Sequence, residues 1–143
     1  MDYLKVLVEE IHSVVVATVD EKGHPHTAVM DMMWEDGKTV YFLTADFNPL
    51  YKRLKEDGRV AVTGMTQGAG TMDRKSISLT GQVEWIGKEH LEELLKANPY
   101  MYEIYPTEEG RSHLQVFRFK NSVGNFYDLT QLPPYQARFE IEG

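Results

Sequence analysis

The side chains of this chain that could do chemistry are few, and their spacing narrows the options. His24 and His26 are two residues apart, so on a strand both point the same way. That is a start on a metal site, but a turn directly precedes His26 and no third ligand follows at a recognisable spacing. The pair reads as surface histidines at a strand start. His12 ends the first helix, where an imidazolium complements the carbonyl end, and His90 and His113 stand alone. There is no cysteine and no Gly-x-Ser-x-Gly elbow. Ser76 and Ser78 alternate with apolar residues and face solvent or a ligand from a strand. Glu89, Glu92 and Glu93 belong to a solvated helix face. Asp31 differs, because it lies inside an apolar run, Val29–Trp34. Either alternation turns it outward, with Met30 and Met32 inward, or it is buried and needs a partner. The methionines are soft gap fillers that suit a flat aromatic ligand or a dimer interface.

One cluster points to anion binding. Thr44 stands at a strand end, Asn48 at a helix start, and Lys52 and Arg53 within that helix. Free amides at a helix N-terminus attract phosphate. Lys75, opening a later strand, could add charge. The alternative is that Asn48 caps its own helix and the cations are solvated, and the residues alone leave both open.

The elements that must position these residues are well punctuated. Ser13–Asp20 is a β-branched strand and 21–25 a turn cluster. His26–Trp34 is a second apolar run, and Asp36-Gly37 is a hairpin signal. Thr39–Thr44 is a third strand, and Asn48-Pro49 opens a helix that carries Leu50 and Leu54 on one face and closes at Gly58. Arg59–Thr63 begins a fourth strand. Residues 66–72 form a Gly-rich loop. Residues 75–86 make a long strand bent at Thr80-Gly81, and 88–97 a helix that Asn98-Pro99 either ends or follows with another turn running through Tyr105. Residues 114–119, 124–129 and 139–141 supply the remaining strand segments. Residues 2–11 form an amphipathic helix that covers one end of the barrel. The order predicts a small, mainly β, six-stranded antiparallel barrel with Greek-key character and short helices, not a parallel nucleotide-binding sheet.

Composition bounds the function. The 143 residues fit one domain, 1–143, large enough to bury a core without staples. Lack of cysteine removes disulfides, iron–sulfur clusters and thiolate zinc. A formal charge of −7 argues against a nucleic-acid backbone as partner. No run approaches a bilayer span, and the acidic N-terminus is unlike a signal peptide, so a cytoplasmic location is expected.

Residues 14–30, 36–44, 51–54 and 58–63, followed by 75–86, 98–106 and 124–134, occur in an order that resembles the split-barrel flavoproteins related to pyridoxamine 5′-phosphate oxidase. The smaller members, general stress proteins and nitroimidazole-resistance reductases, are the nearest in kind. The resemblance implies a split barrel and a homodimer with FMN at the subunit interface. It implies that Ala28, Val29 and Met30 line the flavin ring, that Thr44 with Asn48 and Lys52 holds the phosphate, that Lys75 and Ser76 approach the polar edge, and that Tyr127 closes the pocket. The chain departs from the family at Ala28 and Leu50, where relatives carry phosphate-anchoring cations. Lys52, Arg53 and Lys75 are the cations left to replace them. The implied activity is reduction of a small electrophile, a nitro compound or quinone, with NAD(P)H, with no residue assigned as acid or base. The alternative is a non-catalytic flavin- or haem-binding carrier or sensor, with His24 or His26 as axial ligand. The aromatic stretch Tyr100, Tyr102, Tyr105, Phe126 and Tyr127 serves an interface, a pocket or the core.

Overall fold

A computed structural model describes residues 1–143. The longest strand organises it. β7 (Leu114–Asp128) pairs along one edge with β6 (Lys75–Gly87). Along its other edge it pairs first with β4 (Val40–Ala45) and then with β8 (Tyr135–Ile141). Outward from β6 lie β5 (Arg59–Met65), β1 (Ser13–Val19) and β2 (Pro25–Asp31), and β3 (Trp34–Glu35) flanks β4. Every pairing is antiparallel.

The sheet curls because alternate residues of nearly every strand share one interior. Val14 and Val16, Val40 and Phe42, Val60 and Val62, Ile77 and Leu79, and Phe117, Phe119 and Phe126 pack into one core. Its open ends are stopped by Leu50 and Leu54 of α2 (Pro49–Glu56) and by Val6, Leu7 and Ile11 of the N-terminal segment. β4 is buried on both faces. Its other side, with Tyr41, Leu43 and Ala45, packs against Leu94 and Leu95 of α3 (Leu91–Ala97) and Met101 of α4 (Met101–Ile104).

Local chemistry sets the joints. Asn48 caps α2, its side chain accepting from the Leu50 amide at 3.1 Å, with Pro49 at the first turn. Gly37 and Gly58 take φ of 86° and 77°, closing the hairpin and ending α2.

The structure holds eight strands rather than six. β3 is a two-residue strand, and the segments 114–119 and 124–129 are one fifteen-residue strand rather than two. That continuity hides in the sequence because Asn121, at φ 48°, interrupts the alternation. β8 starts at Tyr135, earlier than its apolar tail announces. The N-terminal helix covers the barrel end as expected, but only Tyr3–Lys5 (α1) is α-helical. Val6–Ile11 is π-helical, ending in a His12 N–H to Leu7 carbonyl bond, with His12 itself at φ 62°, ψ −66°. A last short helix, α5 (Glu108–Arg111), capped by Thr107, was not expected. No helix is long and apolar enough to cross a membrane.

Candidate functional site

One side of β2, β1, β5 and β6 has no covering layer. Pairing registers align Val29, Val15, Thr63 and Ser78 across the four strands on this side. The Thr63 and Ser78 hydroxyls lie 3.3 Å apart. Val29 is 71% exposed and Met65 55%, whereas Val14, Val16, Val62, Ile77 and Leu79, on the opposite side of this part of the sheet, are buried. A cavity of about 410 Å³ opens here, lined by Ser13, Val15, Val29, Thr63, Met65 and Ser76 among others. The surface sets the apolar side chains of Val15, Val29 and Met65 beside the hydroxyls of Ser13, Thr63 and Ser76. None of these six side chains titrates near neutrality.

The residues singled out from the sequence fall into four places. Val29 and Ser76 line the open cavity, and Tyr127 stands directly opposite Ser76 across the β6–β7 ladder. Thr44, Asn48 and Lys52 gather where β4 runs into α2. Thr44 is 4% exposed. The Asn48 side chain is committed to its cap, and Lys52 is exposed. Arg53, by contrast, turns to β1 and donates from Nε to the Thr18 hydroxyl at 2.8 Å. Ala28 and Met30 have the opposite parity to Val29 and pack toward the core, so only their backbone faces outward. Lys75 lies 3.5 Å from a Glu10 carboxylate oxygen and opposite Asp128 in the ladder.

A polar cluster that sequence reading did not assemble lies beside the cavity. Asp31 is half-exposed and accepts from the Ser13 hydroxyl at 2.6 Å and the Tyr100 hydroxyl at 2.8 Å. His12 Nε2 lies 2.8 Å from the Tyr100 oxygen, and His12 Nδ1 3.0 Å from the Val8 carbonyl. Burial first, then the Asp31 carboxylate, pushes the Tyr100 phenol well above its ordinary range. Tyr100 therefore stays a protonated donor. Asp31 was legible as an anomaly in an apolar run; its partners come from 18 and 69 residues away.

His24 and His26 both turn to Asp20 at the β1–β2 hairpin, at 3.7 and 2.9 Å. No three His, Asp or Glu side chains come together as a metal site.

Comparison with known proteins follows the architecture. A model of the pyridoxamine 5′-phosphate oxidase family matches residues 2–127. A search of curated protein sequences finds no match. Among solved structures, a NimC/NimA family protein from Clostridium acetobutylicum superposes with a TM-score of 0.74 at 18% identity, covering 97% of this chain and 93% of that one. A protein related to general stress protein 26, from the same organism, gives 0.65 at 21% identity, covering 91% and 86%. A haem-binding protein from Mycobacterium smegmatis gives 0.73 at 13% identity, covering 97% of this chain but 57% of that one.

Proposed function

The chain belongs to the pyridoxamine 5′-phosphate oxidase family, and from that premise we propose a homodimeric FMN-dependent oxidoreductase that passes two electrons from NADH or NADPH to a small electrophile, a nitro compound or a quinone. The observation that carries this reading is the uncovered sheet face with its 410 Å³ cavity. Val15, Val29 and Met65 offer an apolar bed to a tricyclic ring, and Ser13, Thr63 and Ser76 place hydroxyls where a ring's polar edge needs partners. FMN supplies the electron chemistry; the chain binds and orients it.

The phosphate end is served more thinly. Thr44 and the exposed Lys52 flank the start of α2, where backbone amides favour an anion, while Leu50 is buried in the core and Arg53 is held by Thr18. Affinity for FMN is accordingly expected to be modest and to rest on the ring as much as on the phosphate. A second copy packing on the open face would close the cavity and shield Val29 and Met65.

Titration of FMN, and separately riboflavin, into apo-protein tests the reading. Saturable quenching of flavin fluorescence at one site per chain, weaker for riboflavin, is expected. Lys52→Ala should then narrow the gap between the two ligands. With FMN bound, NADH or NADPH should reduce a nitroaromatic or quinone faster than free flavin does. Binding without turnover would favour a carrier, a reading supported by the absence of any acid or base among the six lining side chains named. Saturation by haem and not by flavin would replace the flavin reading.

A further inference from the structure

A second cavity, of about 440 Å³, opens where the N-terminal segment, β3 and the end of α3 meet. Its lining includes Glu9, His12, Trp34, Glu35 and Asn98, and shares no residue with the cavity on the open sheet face. No Lys or Arg lines it.

The polar groups here accept rather than donate. Asn98 is 5% exposed, and its Nδ2 donates to the Met33 and Leu94 carbonyls, both at 2.8 Å. Two carbonyl partners fix the amide orientation and leave Oδ1 pointing away from them. No donor in the chain serves Oδ1. Nor is it sealed, because the one sealed and unpaired side-chain polar atom is Arg74 Nε. A nearly buried acceptor is therefore left for whatever enters the cavity. Glu35 gives one carboxylate oxygen to the Gly37 amide at 2.7 Å and keeps the rest of its acceptor capacity. Glu9 is exposed and brings a second negative charge. His12 offers no free donor, since both ring nitrogens are engaged by Val8 and Tyr100.

One wall is aromatic and held in place. The Trp34 ring packs on Tyr41 and His90, at 5.0 and 5.1 Å between centroids. Acceptors with negative charge, no lysine or arginine, a histidine whose two ring nitrogens are already engaged, and an indole wall are the complement of a cation. An anion would meet two like charges, and a neutral ligand would leave them uncompensated. We propose that this cavity binds a small protonated amine with an apolar body, its ammonium group among Glu9, Glu35 and Asn98 Oδ1 and its body against Trp34. The site stands apart from the flavin reading and does not need it.

Benzylamine is the probe, with benzyl alcohol and benzoate as neutral and anionic counterparts. Trp34 and Trp85 are the two indoles, and Trp85 is 45% exposed, so Trp85→Phe leaves Trp34 as the reporter in the full-length protein. Benzylamine should change Trp34 emission saturably, at one site per chain, with benzyl alcohol about tenfold weaker. Benzoate should not bind. Glu9→Gln and Glu35→Gln should each weaken benzylamine several-fold with an unchanged circular dichroism spectrum. Saturation-transfer NMR with the wild-type protein gives the same comparison should Trp85→Phe fail to fold. Benzyl alcohol binding as tightly as benzylamine, full affinity in the Glu9→Gln/Glu35→Gln double variant, or no saturation at all would overturn the proposal. Loss of flavin binding with benzylamine binding intact would sink only the flavin reading.

Discussion

Asp20 ties the β1–β2 hairpin together by accepting from two backbone amides, Lys22 and His24, and from the His26 ring, each at 2.9 Å. These donors, His26 foremost, hold its carboxyl down to about 2. An unfolded chain releases that proton nearer ~3.9. The unfolded state therefore binds more protons between the two values, and the bonds stabilise the fold fully above about pH 5 and lose their contribution as the pH falls toward about 2. Thermal melts across that window should show Asp20→Asn less stable than wild type near neutrality, with the gap closing in acid. A gap independent of pH would mean that the carboxylate's charge contributes nothing. At this scale the sequence is legible where alternation alone assigns a face. Ser76 is read that way, whereas Val29 comes only with the family resemblance. Ser13, Thr63 and Met65 are not, because they meet only through the β1–β5 and β5–β6 registers, which join residues 11 to 48 positions apart. Asn98 read as a helix stop or the start of another turn. Its place at a cavity depends on the Met33 carbonyl, 65 residues away.

At the scale of elements, the bend in β6 is a packing requirement. A Cβ added to Gly81 would stand 2.5 Å from the Ser122 Cα, a backbone atom that cannot swing aside, and the β6–β7 register shifts between Thr80 and Gln82. One added to Gly124 would meet the Phe139 ring at 2.2 Å, but that ring is only half-buried and can turn outward. Urea unfolding should therefore find Gly81→Ala costing about 1–3 kcal/mol, and Gly124→Ala less. The reverse order would show that the Phe139 ring is the more rigid neighbour. Thr80-Gly81 was readable as a bend, because glycine inside an alternating strand marks a close approach. The π-helical turns of Val6–Ile11 were not, since the same apolar spacing suits an α-helix. They arise from the His12 N–H to Leu7 carbonyl bond and from His12 taking a left-handed φ before β1.

For the molecule as a whole, the exposed apolar face argues for a second copy. Val29 is 71% exposed, so Val29→Glu should leave the fold and its melting temperature nearly unchanged in a monomer. It should block the pairing of two such faces, because a carboxylate would be buried without a partner. Light scattering should give twice the 16.5 kDa chain mass for wild type and one chain for the variant. A monomeric wild type would remove the dimer from the functional reading. The mainly antiparallel class was legible in full, because turn and cap signals sit at nearly every joint; the strand order was not, because it is set by pairings far apart in sequence. Those pairings also fix the order in which a newly made chain can fold. β1, β2, β5 and β6 can join once residue 87 has emerged from the ribosome. β4, six residues buried throughout in the finished protein, finds its long partner only when Leu114–Arg118 of β7 appear. For the synthesis of some seventy residues, a bare and mostly apolar edge must be shielded by a chaperone or left open to neighbouring nascent chains.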